Sequence, residues 1–259
     1  MMRFKDKVVL ITGAGRNTGV GIAELFIREG AKVCINDRTP ESTNHGAKIL
    51  KEKGLSGFFE IPGDISDTQQ VDTMFKKMLA KFESIDILVN NACDQGIGQI
   101  FEEMSPGDFL KVINTNLFGT FQVSLQAARI MLKQASRGVI INMGSNVSMR
   151  AIHNRTAYVA SKAGIEALSR SMAVDLGPKG IRVNVVAPGY IHTDRWKTLS
   201  PMASLRRRLN IPLGVEATMD DIAQAVAFLA SDAAKNICGE RLVVDGGCSA
   251  QHLPIDVDL

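Results

Sequence analysis

Seven short apolar runs recur along the chain, and longer stretches of helical periodicity separate them. The runs are KVVLIT, AKVCIND, GFFEIPGD, IDILVNNA, GVIINMGS, IRVNVVAP and RLVVDGG. They are continuously apolar, whereas a strand with one wet face would alternate apolar and polar residues. Strands covered by helices on both faces carry this signature. The order of strand and helix therefore predicts repeated βαβ units and a parallel sheet. Helices are expected at about 18–29, 41–53, 67–82, 109–133, 156–176 and 219–231, the last opened by the capping signal Thr218-x-x-Asp221. No Pro/Gly/Ser-rich linker and no repeat divides the 259 residues, so a single domain over 1–259 is expected.

One stretch breaks the alternation. YIHTDRWKTLSPMASLRRRLNIPLGV, residues 190–215, is polar, basic in patches and holds two prolines. It follows the C-terminal end of a strand, where open α/β sheets bind ligands, and is long for a passive connection. A substrate lid is expected there.

Charge and cysteines narrow the function classes. The net charge of +3 is too small to argue for nucleic acid or a membrane surface, and no apolar run approaches the ~18 residues of a membrane span. Cys34, Cys93, Cys238 and Cys248 show no metal-ligand spacing with the four histidines. The start enters a strand almost at once, leaving no room for a signal peptide, so a reduced, cytoplasmic enzyme without structural metal is expected. The closing QHLPIDVDL, beyond the last strand, is expected either to order against a neighbouring subunit or to fray.

The first strand runs into TGAGRNTGVG. A G-x-G-x-x-G template fails from either Gly13 or Gly19, but aligning on the flanking strand and helix gives T-G-x-x-x-G-x-G with Gly13 and Gly19 as the outer glycines. Asn17 occupies the middle position, and asparagine tolerates the left-handed backbone that glycine would supply. The loop amides and the helix N-terminus would then face a pyrophosphate. Gly21 reads as a small helix residue facing the sheet. Asp37 ends the second strand, where a carboxylate accepts both ribose hydroxyls of an adenosine. Asp64 closes the third strand and Asn90-Asn91-Ala92 the fourth.

Ser145 ends the fifth strand, Tyr158 follows thirteen residues later, and Lys162 lies four beyond on the same helix face. A phenol with a pKa near ~10 is a poor base at neutral pH; a neighbouring ammonium favours the phenolate. A serine hydroxyl nearby would hydrogen-bond the reacting oxygen.

Taken in order, TGAGRNTG, Asp37, Asp64, NNA, Asn116 in NLFG, Ser145, YVASK, PGYIHT and VVDGG resemble the short-chain dehydrogenase/reductase family over nearly the whole chain. The resemblance implies a three-layer Rossmann fold: a seven-stranded, mostly parallel, doubly wound sheet with helices on both faces. It also implies a homotetramer. Tyr158 would exchange the proton on the substrate oxygen, Ser145 would orient that oxygen, Lys162 would bind the nicotinamide ribose and lower the Tyr158 pKa, and Asn116 would hold a water. Coenzyme contacts are implied at Gly13, Arg16, Asn17, Thr18, Gly19, Asp37, Arg38, Asp64, Ile65, Asn91 and Ala92. Others are implied at Tyr158, Lys162, Pro188 and Gly189, with Ile191 and Thr193 at the carboxamide. Three positions depart from the family pattern: Asn17, Cys93 in place of a glycine after NNA, and Gly144 in place of a serine.

Asp37 should repel a 2′-phosphate, which favours NAD, although Arg16 and Arg38 stand where NADP-dependent members carry arginines. Gln95, Asn146, His153 and Arg155 make the expected pocket polar, as a sugar or polyol substrate would require. The alternative is a 3-oxoacyl-[acyl-carrier-protein] reductase. Arg129 matches one carrier-docking arginine of such enzymes, whereas Val174 occupies the place of the other. Arg206-Arg207-Arg208 in the lid reads first as an exposed basic helix face, with binding of an anionic substrate as the alternative. A non-catalytic coenzyme-binding protein is a lower alternative, disfavoured because Tyr158 and Lys162 are both present.

Overall fold

A computed structural model describes residues 2–98 and 100–254. Seven strands form one sheet: β1 (Val8–Ile11), β2 (Lys32–Ile35), β3 (Phe58–Glu60), β4 (Ile87–Asn90), β5 (Gly138–Met143), β6 (Ile181–Pro188) and β7 (Arg241–Val244). Their order is β3-β2-β1-β4-β5-β6-β7, and every pairing is parallel. The chain builds outward from β1 to β3 and then returns to place β4 beside β1. Loops leaving β1 and β4 diverge there, opening the crevice in which doubly wound sheets bind ligands.

The helices are α1 (Asn17–Arg28), α2 (Pro40–Glu52), α3 (Thr68–Phe82), α4 (Pro106–Ile113), α5 (Gly119–Met131), α6 (Thr156–Leu176), α7 (Asp194–Lys197), α8 (Pro201–Leu209) and α9 (Met219–Ala230). Successive strand side chains point to opposite faces. Val9 and Ile11 of β1 therefore join a core with Phe26 of α1, Leu50 of α2 and Val226 of α9, while Leu10 joins Met78 of α3 and Val123 and Met131 of α5. Both faces of the sheet are covered, and this is why the strand sequences do not alternate.

Four expectations are revised. The helix expected at 109–133 starts at Pro106, capped by Ser105, whose Oγ accepts the Asp108 N–H at 3.0 Å, and a π-turn at Asn114–Phe118 divides it. The third strand stops at Glu60, two residues before Pro62, which has no N–H to give the ladder, so Asp64 lies in the following loop. Gly21 faces α9 rather than the sheet: a Cβ there would stand 2.9 Å from Met219 Cβ, so its missing side chain lets the two helices approach. Residues 190–215 are not a plain loop, because α7 and α8 form within them. Of the closing segment, 255–259 lie outside the described residues.

Among the described residues no helix is long and apolar enough to cross a membrane, and no three His, Cys, Asp or Glu side chains converge as a metal site. An apolar groove of about 390 Å³, lined by Ile113, Leu117, Phe118, Phe121, Gly164 and Leu168, opens on the outer side of the α4–α6 layer.

Candidate active site

The crevice at the β1–β4 switch is lined by the glycine loop. Gly13 and Asn17 both adopt left-handed backbone, with φ of +64° and +48°. A Cβ on Gly13 would stand 2.6 Å from Ala92 Cα, and one on Gly19 would collide with the Gly13 carbonyl. Asn91 stitches this turn to β4: its Nδ2 donates to the Thr12 and Gly13 carbonyls at 3.0 and 2.9 Å. Thr12 Oγ1 accepts the N–H groups of Asn91 and Ala92. Thr18 and Gly19 lie in the first turn of α1, whose free amides attract anions. Across the loop, Gly15 N–H donates to Asp37 Oδ2 at 2.9 Å, while Asp37 Oδ1 accepts from the Arg38 N–H and the Ser42 hydroxyl. Arg16 and Arg38 are exposed, with no ion-pair partner among the described residues.

Farther along the crevice, Asp64 Oδ1 accepts the Ser66 N–H and hydroxyl, while the Ile65 side chain enters the core. Pro188 ends β6 and Gly189 follows it; a Cβ on Gly189 would stand 2.5 Å from Asp245 Cβ. Ile191 bridges to Ala217, and Thr193 opens α7. Glycines at close approaches, a helix N-terminus and a carboxylate one loop away together fit a dinucleotide with an adenosine at Asp37.

Ser145 and the first turns of α6 meet beyond the C-terminal end of β5. Ser145 is buried; its Oγ accepts the Val147 N–H at 3.3 Å. Lys162 is 2% exposed, its Nζ donates to the Met143 carbonyl at 2.7 Å, and it lies 5.6 Å from the centroid of the Tyr158 ring. Burial pushes the Tyr158 phenol well above its ordinary value, and the nearby Cys93 acts the same way; Ser145 and Arg155 draw it down. Burial likewise lowers Lys162, against Cys93 and Glu166. Lys162 is not among the groups that shift the phenol in this geometry: its Nζ is directed at the Met143 carbonyl, and burial outweighs the neighbouring charges at Tyr158. Asn116, buried in the π-turn, spends its whole side chain on structure: Oδ1 accepts the Asp94 N–H, and Nδ2 donates to the Asp94 carbonyl and the Ser161 hydroxyl.

A set behind Ser145 escaped sequence reasoning. Arg241 Nε donates to Glu166 Oε1 at 2.8 Å, Ser148 Oγ donates to the same oxygen at 2.6 Å, and both Ser148 and Arg241 reach the Ser145 carbonyl. The available signal was Glu166 itself, a further four residues along the face that carries Tyr158 and Lys162.

The expected substrate residues are only partly brought together. Arg155 Nη1 donates to the Gln95 carbonyl at 2.7 Å, and Arg195 Nη1 donates to Gln95 Oε1 at 3.0 Å. Asn146 instead turns its amide toward Asp245 at 3.4 Å, and His153 is exposed on a surface turn. Within residues 190–215, Trp196 of α7 is buried beside Tyr190 and His192. Glu216 anchors α8 by accepting from Arg208 Nε and Nη2 and pairing with His192 Nδ1 at 2.8 Å. Arg208 foremost, with His192 assisting, holds the Glu216 carboxyl down to about 2. Asn17 Oδ1 accepts the Asp194 N–H at 3.1 Å, joining the glycine loop to α7.

A family model described as enoyl-(acyl carrier protein) reductase matches residues 13–249. A 3-oxoacyl-[acyl-carrier-protein] reductase of Chlamydia muridarum is 38% identical over 244 residues, covering 93% of this chain and 97% of that protein. A 3alpha-hydroxysteroid dehydrogenase of Mediterraneibacter gnavus is 38% identical over 252 residues, covering 95% and 98%. Among solved structures, a levodione reductase at 34% identity superposes with a TM-score of 0.90, covering 96% of this chain and all of that one. With likeness of sequence and of shape running from the glycine loop to the last strand, this chain belongs to the short-chain dehydrogenase/reductase family and is an NAD(P)-dependent oxidoreductase acting on CH-OH groups.

Proposed function

We propose that the protein interconverts a secondary alcohol and a ketone on a small polar substrate of the sugar or polyol type, with NAD as the preferred coenzyme. The bound nicotinamide supplies or takes the hydride. Tyr158 exchanges the proton on the substrate oxygen and Ser145 orients that oxygen. Lys162 turns from Met143 to the ribose, and Asn116 fixes the turn at which a relay water is held. Residues 190–215 form the lid. The observation that carries the substrate reading is the polar wall beside Tyr158, where Arg155 and Arg195 converge on Gln95.

Asp37 supports NAD. Its carboxylate accepts from three groups of the chain and keeps acceptor capacity for ribose hydroxyls, whereas a 2′-phosphate would meet like charge. The apolar groove along α4–α6 supports a homotetramer, whose mass sedimentation measures.

The relatives' names favour a second reading, reduction of 3-oxoacyl thioesters on a carrier protein. Val174, 74% exposed, offers no charge to an acidic carrier and argues against it. Initial rates on sugars, polyols, hydroxysteroids and 3-oxoacyl thioesters with both coenzymes decide. We expect the highest kcat/KM with NAD and a polyol or sugar; a tenfold preference for NADP, or for a thioester, would overturn the corresponding half of the reading.

A further inference from the structure

The outer wall of this pocket gathers more positive charge than the chain neutralises. Arg155 stands three residues before Tyr158, and the neutral Gln95 holds it together with Arg195, at 2.7 and 3.0 Å. Arg207 arrives from α8, its Cζ 5.5 Å from the ring centroids of both Tyr190 and Trp196. Trp196 directly follows Arg195, so three separate segments deliver guanidinium groups to one corner. Arg155 and Arg207 both hold their protons less tightly than a free guanidinium: burial is the larger cause, and the charge of Arg195 comes next at both.

Among the described residues none of the three forms an ion pair, and the acids on the same segments are occupied elsewhere. Asp194 pairs with Lys197 at 3.1 Å, and Glu216 is taken by Arg208 and His192. Arg155 and Arg195 each spend one N–H group on Gln95, leaving the rest of each planar fork for a ligand. Partly desolvated like charges repel, and an anion placed among them removes that cost while gaining charge-assisted hydrogen bonds. Arg206, by contrast, is exposed and offers only its carbonyl, to Asn210.

We propose that the substrate carries an anionic group, a carboxylate or a phosphate monoester, which Arg155, Arg195 and Arg207 receive while the reacting carbon lies at Tyr158. This rests on the alcohol–ketone reading of the site and selects sugar acids and sugar phosphates over neutral polyols. It divides the Arg206–Arg208 run, for which the sequence leaves an exposed face and an anion site both open: Arg207 lies over the Tyr190 and Trp196 rings, Arg208 holds Glu216, and Arg206 makes only a carbonyl contact.

Trp196 is the single tryptophan of the chain, so intrinsic fluorescence reports this corner directly. The NAD-loaded protein is titrated with gluconate, sorbitol 6-phosphate and neutral sorbitol. We expect a saturable change with at least one anion, at a concentration tenfold or more below that for sorbitol, and weaker at higher salt. The two anion arms separate carboxylate from phosphate. Arg207→Met, which keeps an apolar stem on the rings, should weaken anion binding at least tenfold; Arg195→Met, at an exposed position, repeats the test should that variant fold poorly. Arg206→Met removes the same charge and should change binding less than twofold. No saturable change with either anion, equal binding of sorbitol, or equal effects of the Arg206 and Arg207 variants overturns the proposal. The titration needs no turnover, so anion binding without oxidation of any secondary alcohol would defeat the activity reading alone. Oxidation of neutral polyols without anion preference would defeat the anion proposal alone.

Discussion

The Tyr158 phenol sits between opposing influences: burial and Cys93 hold its proton on, Ser145 and Arg155 ease it off. A phenol kept neutral is ready to donate to a ketone oxygen at neutral pH, whereas alcohol oxidation must begin by losing that proton. The kcat/KM for oxidation should therefore climb with pH into the alkaline range, while reduction stays flat near neutrality. Tyr158→Phe should lower turnover by about 10²–10⁴-fold with an unchanged circular dichroism spectrum; near-normal turnover would remove Tyr158 from this role. Single residues were unevenly legible. Asn17 was readable because a left-handed turn admits few residue types, and φ of +48° agrees. Glu166 was not, because a carboxylate on a helix is ordinarily solvated, and only its tertiary partners Arg241 and Ser148 make a buried one tolerable.

At the scale of elements, hydrophobic period located the covered strands and long helices well, and failed where packing is thin. Helices α4 and α8 both start at Ser-Pro, with the serine hydroxyl accepting the N3 amide and proline at N1. That signal is local and was present at Ser105 and Ser200, but neither helix has a broad apolar face to announce it; α8 buries no residue fully. What holds α8 in place is electrostatic. The Glu216 carboxyl is lowered from an ordinary value of 4.5 to about 2, so its tie to Arg208 stabilises the fold fully above pH 4.5 and is lost as pH falls through that interval toward 2. Thermal unfolding of wild type and Glu216→Gln should differ most at neutral pH and converge by about pH 2; a constant gap would show that the carboxylate charge is not the source.

For the whole molecule, the doubly wound order could be argued before any coordinates, because seven unbroken apolar runs separated by helices leave few chain paths that bury both sheet faces. The arginine corner was not legible in that way. Gln95, Arg155, Arg195 and Arg207 are scattered over more than a hundred positions and meet only after the sheet has set its loops side by side. The bond from Asn17 to the Asp194 amide spans 177 positions and fastens the glycine loop to the 190–215 segment. That segment carries five tryptic sites, Arg195, Lys197, Arg206, Arg207 and Arg208. Coenzyme that steadies the loop should shield those sites, so NAD should slow their cleavage by trypsin severalfold in wild type and little in Asn17→Gly, followed by mass spectrometry of the fragments. Equal protection in both proteins would mean that the bond carries nothing between the two sites. Protection confined to wild type would instead mean that the Asn17 side chain, at the middle glycine position of the T-G-x-x-x-G-x-G pattern, gives the enzyme a binding order, coenzyme before substrate.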